Sequence, residues 1–196
     1  LLQAAGIDCQ VGGNIGTPVA SMVESSNDGR WNVLELSSFQ LETSDTLHVK
    51  IAAALNVTPD HLDRHGSFEN YAAAKARIFR NQTPEDFAVL NAENETTVTY
   101  ARQTAAQVRW FHAGGPAAPG FYRVGDQLTA DGVPFLAVAE VRLRGRHNLE
   151  NILAAACAAH LAGAPLEALG TGVLSFPGVE HRIEYTRTVR GVAYYN

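Results

Sequence analysis

The residues best equipped for chemistry gather in short polar segments that follow apolar runs. Glu35-Leu36-Ser37-Ser38-Phe39-Gln40-Leu41-Glu42 continues directly from Trp31-Asn32-Val33-Leu34. In open α/β sheets ligands bind beyond the carboxyl ends of strands, so Glu35 stands where a magnesium-binding carboxylate is expected. The plainer reading is a helix start, with Ser37 or Ser38 capping a helix that begins at Phe39. Asn56-Val57-Thr58-Pro59-Asp60-His61-Leu62-Asp63-Arg64-His65 follows another apolar run and packs two carboxylates, two histidines and an arginine into one loop. That density at a strand end favours a binding site over solvated filler, with His65 the member most easily read as structural.

Lys75 is the odd residue of an amphipathic stretch, falling on the side of Phe68, Tyr71, Ile78 and Phe79. A lysine there can snorkel, with its stem buried and its amine in water, and periodicity alone favours that reading. The alternative is an amine buried beside metal ligands, where desolvation favours the neutral, nucleophilic form. Such an amine can add CO₂ to give a carbamate, an anionic oxygen ligand suited to Mg²⁺. Gly12-Gly13-Asn14-Ile15-Gly16 opens a helix, and its backbone amides could receive a phosphate. It is a weak signal and no Walker A loop, because Gly-Lys-Ser and Gly-Lys-Thr occur nowhere in the chain. Asn148 and Asn151, at the start of an Ala-rich helix, could cap it or read a base edge. Arg182 stands at a strand start, where phosphate binding competes with the commoner surface role.

The elements that must hold these groups read as alternating strands and helices. Leu1 to Ala5 is the end of a helix closed by Gly6, and Pro18 suits the first turn of a helix from Val19 to about Glu24. Trp31–Leu36 and Lys50–Val57 suit buried parallel strands, and Phe87–Asn91 and Val108–Phe111 are further strands. Helices are expected from Phe68 to about Arg80 with Ser67 as cap, and from Glu93 to about Ala106. Later helices are expected from Asn148 to about Ala162 and near Leu166–Leu174. Between them, Phe121 to Leu143 carries short strands with turns at Asp126 and Asp131-Gly132, expected as a small antiparallel side sheet. Arg182 to Tyr195 reads as a hairpin turning at Arg190-Gly191. The fold class is therefore α/β: a doubly wound, mostly parallel sheet with helices on both faces, plus that side sheet.

Composition narrows the function. With 46% hydrophobic residues, 18% charged and a net charge of −5, the 196-residue chain suits one globular domain. No cationic face for nucleic acid or membrane is expected, and no apolar stretch is long enough to span a bilayer. Cys9 and Cys157 read as small core residues of a reducing compartment, so a cytoplasmic location is expected.

These segments together resemble the Mur ligase family. The resemblance is carried by Gly-Gly-Asn-Ile-Gly at 12–16, Glu-Leu-Ser-Ser-Phe-Gln-Leu-Glu at 35–42, Asn-Val-Thr-Pro-Asp-His-Leu-Asp-Arg at 56–64, Tyr-Ala-Ala-Ala-Lys-Ala-Arg-Ile-Phe at 71–79, Gly-Arg-His-Asn-Leu-Glu-Asn at 145–151 and His-Arg-Ile-Glu at 181–184. The first two stretches are closest to the family's D-glutamate-adding branch. The resemblance implies the central, P-loop NTPase-like domain of an ATP-dependent ligase of peptidoglycan precursor synthesis. Its partners would be UDP-N-acetylmuramoyl-L-alanine, D-glutamate and ATP, and the full-length enzyme is expected to be monomeric. It implies that Glu35 holds a Mg²⁺ at the ATP phosphates, while His61 and carbamylated Lys75 hold a second Mg²⁺ near an acyl phosphate. Asn14, Ser37 and His61 would contact the UDP-muramoyl substrate. Asn148 and Asn151 would lie at the adenine, and Arg182 near the ATP ribose and phosphates.

The departures are the Gly-Lys-Thr/Ser loop, expected just before Leu1, and the flanking UDP-binding and glutamate-docking domains. The expectation is thus a truncated central domain, its ends read as cuts, that neither hydrolyses ATP efficiently nor ligates by itself. Two rival readings are another amide ligase of the superfamily, such as a sister Mur ligase or folylpolyglutamate synthase, and a non-catalytic nucleotide-sugar-binding domain.

Overall fold

The computed structural model describes residues 1–178 and 185–195. A 3-10 turn, Gln3–Ala5, is closed by Gly6 in the left-handed region and leads into β1 (Cys9–Gly13). Short α1 (Val19–Met22) runs into a 3-10 turn at Val23–Ser25, followed by β2 (Trp31–Glu35) and α2 (Ser38–Glu42). Next come β3 (Ile51–Ala54), α3 (Leu62–His65), α4 (Phe68–Ala76) with a 3-10 extension to Phe79, and β4 (Phe87–Asn91). Then follow α5 (Glu95–Tyr100), β5 (Gln107–His112), β6 (Gly120–Val124), β7 (Gln127–Ala130) and β8 (Val133–Ala137). Helices α6 (Arg146–Leu161) and α7 (Leu166–Ser175) and the hairpin β9 (Tyr185–Val189) and β10 (Val192–Tyr195) complete the described residues.

The main sheet has six strands in the order β3-β4-β5-β6-β7-β8, parallel as far as β6 and antiparallel beyond it. Strand β4 shows why this is a two-sided sheet. Ala88, Val89 and Leu90 are all fully buried, and alternate side chains of a strand point to opposite faces. Val89 joins Phe111, Phe121 and Leu128 under Leu153, Cys157 and Leu169 of α6 and α7. Ala88 and Leu90 join Tyr71, Phe79 and Tyr100 on the other face, under α4 and α5. The antiparallel strands expected between Phe121 and Leu143 are present, and they extend the edge of the main sheet through the parallel β5–β6 pairing.

Two expectations are corrected. Strand β2 pairs in parallel only with β1, in a separate two-stranded sheet, and is not buried: Val33 is 43% exposed and Val11 opposite it 63%. Among the described residues no strand bonds its other edge. Helix α5 stops at Tyr100, well short of Ala106. Asn94 caps it, and its Thr96-Thr97-Val98-Thr99 run is β-branched throughout, which restricts χ1 and lowers helix propensity. The terminal hairpin turns at Arg190 and Gly191, both with positive φ; the expected start at Arg182 lies outside the described residues.

Candidate functional site

The polar segments come together where β2 and β3 give way to helices. After β2, Ser37 is the N-cap of α2 in a capping box: its hydroxyl accepts from the Gln40 N–H, and the Gln40 side chain accepts from the Ser37 N–H at 2.9 Å. The helix-start reading of this segment is therefore realised. Glu35 ends β2 with an exposed side chain that no ion pair engages among the described residues. Its carbonyl accepts from the backbone N–H of Asn14 at 2.8 Å, which brings the exposed Asn14 beside it.

The glycine-rich turn departs from expectation. Its Gly13 N–H donates to Thr17 and its Asn14 N–H to Glu35, while α1 has only four residues. Those two amides are committed to backbone bonds and are not open to an anion. The glycines are packing requirements: a Cβ on Gly13, at φ 119°, would collide with the Glu35 backbone, and one on Gly12 with Thr17 and Met22.

After β3, His61 takes a left-handed conformation (φ 50°) as the N-cap of α3, a backbone state that non-glycine residues enter rarely and at functional sites more often. Its N–H donates to Asp60 at 2.8 Å. The His61 ring lies 5.1 Å from Phe39 and 6.1 Å from Tyr71, centroid to centroid. Lys75, one turn beyond Tyr71 on α4, sets its Nζ over the same tyrosine ring at 5.2 Å from the centroid. His61 and Lys75, from separate elements, are thus gathered around Tyr71. His65, by contrast, is buried, bonds Ser38 at 3.1 Å between Nε2 and Oγ, and fastens α3 to α2.

From the sequence, Tyr71 reads as part of the apolar side of its helix and Phe39 as the first residue of a helix. The i, i+4 spacing of Tyr71 and Lys75 was the available signal for the first; the Phe39–His61 contact joins residues 22 apart and has no local signature.

A separate cavity of about 910 Å³ opens between the first residues, the start of α6 and the end of α7, lined among others by Gln3, His147, Asn148, Asn151, Ser175 and Phe176. Asn148 and Asn151 share this wall, although the Asn148 amide also donates to the Arg144 carbonyl at 2.7 Å. Among the described residues no bond joins this cavity to the Tyr71 cluster. Arg182 lies outside the described residues.

As a donor set, the strand-end groups suit Mg²⁺ in part. Glu35 offers a free, hard carboxylate and His61 an exposed imidazole. Lys75 as an amine is no oxygen donor; only its carbamate would be. Among the described residues, no three His, Cys, Asp or Glu side chains form a ready-made cage, so part of any coordination shell would come from substrate and water. No helix among the described residues is long and apolar enough to cross a membrane.

The Mur ligase middle domain family matches residues 11–159. Over all 196 residues the chain is 52% identical to the UDP-N-acetylmuramoylalanine–D-glutamate ligase of Solibacter usitatus and covers 44% of that protein. The enzymes so named from Koribacter versatilis and Geobacillus kaustophilus are 48% and 42% identical, again over the whole chain and 44% of theirs. The chain thus spans less than half the length of the curated relatives it matches. Among solved structures, a UDP-N-acetylmuramoyl-L-alanyl-D-glutamate–2,6-diaminopimelate ligase shares the fold, with a TM-score of 0.79 at 24% identity, over 96% of this chain and 44% of that one. MurF from Acinetobacter baumannii gives 0.74 at 18% identity, over 96% of this chain and 45% of that one.

Proposed function

Since the chain belongs to the Mur ligase family, as its middle domain, we propose that it is the ATP-handling part of a ligase that joins D-glutamate to UDP-N-acetylmuramoyl-L-alanine in peptidoglycan precursor synthesis. One observation carries the reading: a 52% match, unbroken along the chain, to a relative of that printed name. A sister ligase or folylpolyglutamate synthase is less favoured by that match. The complete protein would also contain a Gly-Lys-Thr/Ser loop upstream and two flanking domains. It would act in the cytoplasm, as a monomer.

In this reading ATP phosphorylates the terminal carboxylate of the muramoyl substrate, and the D-glutamate amine then attacks the acyl phosphate and expels phosphate. Two anions must meet in the first step, so positive charge has to be set between them. Mg²⁺, once bound, supplies that charge screening. Glu35 would hold one ion; His61, with Lys75 as a carbamate, would hold another. The ammonium resting on Tyr71 first gives up one proton; the neutral Lys75 amine then bonds to CO₂ with loss of a second, which leaves an anion in place of a cation. Asn14, Ser37 and His61 would orient the muramoyl substrate. The cavity wall of Asn148 and Asn151 suits the adenine, with Arg182 at the ribose and phosphates.

The test is made in the full-length enzyme. Glu35→Ala, His61→Ala and Lys75→Ala should each lower ligation turnover by orders of magnitude, with melting temperatures close to the unsubstituted protein's. Bicarbonate should raise the activity of CO₂-depleted enzyme with Lys75 intact. Full turnover in Lys75→Ala, together with indifference to bicarbonate, would end the carbamate assignment.

A further inference from the structure

The carboxylate of Glu93, in the loop between β4 and α5, is a junction of separate segments. One oxygen, Oε1, accepts from Nε2 of His112 at the end of β5 (2.7 Å) and from the guanidinium of Arg146, the first residue of α6. Arg146 also faces Glu150 one turn on, at 3.6 Å. The Glu93 side chain is 23% exposed and that of His112 24%, so their bond is partly shielded from water, whereas the Arg146 side chain is 59% exposed. Because Nε2 makes the bond to Glu93, it carries the hydrogen, and Nδ1 is buried with no partner among the described residues.

The loop is itself rigid. Its backbone N–H at Glu93 donates to Asn91 Oδ1 at 2.9 Å, and the buried Asn91 amide donates to Leu55 at the end of β3. Gly114 passes so close that any Cβ there would run into the Glu93 carboxylate, with His112 and Arg146 each 3.0 Å away.

Helix α6 has no side-chain cap of its own: Gly145 is its N-cap. The Arg146–Glu93 link ties its first turn to the strand ends, beside the packing of Leu149 against the core. Asn148 and Asn151 follow within the next turn and line the cavity. We infer that Glu93 is a positioning residue for adenine-nucleotide binding, holding α6 through Arg146 so that both asparagine amides stand at the ligand. This rests on the reading of that cavity as the nucleotide site.

The experiment measures ATP binding and ligation kinetics in the full-length enzyme. Glu93→Ala should raise the Kd and KM for ATP about tenfold to a hundredfold, as misplacement of a positioning group does. Its kcat and its binding of the muramoyl substrate should change little, a split that general destabilisation would not produce. Glu93→Gln keeps an acceptor oxygen at the same point and should stay within about threefold of the unsubstituted enzyme, a small loss for a hydrogen bond that retains its geometry. Gly114→Ala displaces the carboxylate from the other side and should reproduce the Glu93→Ala effect, so the test survives a Glu93→Ala protein that does not fold. If Asn148→Ala and Asn151→Ala leave ATP binding intact, the nucleotide reading fails and this inference with it. If they abolish binding while Glu93→Ala and Gly114→Ala do not weaken it, the inference alone is overturned. Equal losses in Glu93→Gln and Glu93→Ala would also overturn it, since charge and not anchoring would then be the cause.

Discussion

Asp86 carries more than its place at the foot of β4 suggests. Its Oδ2 accepts from the Thr83 N–H at 2.7 Å, the Thr83 hydroxyl at 2.9 Å and His48 Nε2 at 2.7 Å, with only 4% of the side chain exposed. Burial works against the charge, but the bonds from His48 and Thr83 outweigh it and hold the carboxyl below its ordinary value of 3.8. A carboxylate depressed on folding stabilises the fold above the unfolded value, and that stability is lost as pH falls through the folded value. Asp86→Asn should therefore cost about 1–3 kcal/mol at neutral pH, the range for leaving buried donors unsatisfied. Urea melts of both proteins should start to converge as pH falls below about 3.8 and meet only below the lower, folded value; a gap that stays constant into strong acid would contradict the account. The His48 bond was not legible in the sequence, because His48 and Asp86 lie 38 residues apart. Lys75 was largely legible: its place on the apolar side of α4 and its i, i+4 spacing from Tyr71 can both be read from the sequence, and the fold adds only that its Nζ lies over the ring.

At the scale of elements, the helix-forming patterns translated well where a polar cap and an apolar stripe coincided. Ser67 caps α4 by accepting from the Asn70 N–H at 3.2 Å, as its position before Phe68 predicts. The pattern failed for α5, where the Thr96-Thr97-Val98-Thr99 run weakens the helix although no glycine or proline marks its end. The glycine turn after β1 offers a second reason for its composition, since both of its leading glycines are sterically required. That makes a graded expectation within one motif. Gly13→Ala meets the Glu35 backbone at a positive φ and should destabilise by at least about 2 kcal/mol. Gly16, at φ 77°, has nothing within 4 Å of its would-be Cβ, so Gly16→Ala should cost only the left-handed backbone penalty of about 1 kcal/mol. Denaturant melts decide it, and equal costs would show that contact with Glu35 is not what selects glycine at position 13.

For the whole molecule, the alternation of strands and helices announced a doubly wound sheet, and β3 to β6 with helices on both faces fulfil it. What periodicity could not announce is that β1 and β2 stand apart from that sheet, because an apolar strand reads the same whether or not a neighbour covers it. The two units differ physically: Ala88, Val89 and Leu90 of β4 are wholly buried between helix layers, whereas Val11 and Val33 of the paired short strands are exposed. A two-stranded pair is marginal by itself in water, and regions with few buried apolar contacts open at little free-energy cost. In the 196-residue chain, amides of β1 and β2 should therefore exchange with solvent through local opening. Those of β4 and β5 should exchange only through near-global unfolding, at least about a hundredfold more slowly. If a missing upstream strand pairs with the free edge of β2 in the full-length protein, protection of β1 and β2 should rise there while that of β4 changes little. Equal protection of both units in the isolated chain would mean that the short pair draws its stability from contacts other than strand neighbours. The proposed role of Glu35 at the end of β2 would then not depend on the rest of the protein to hold it in position.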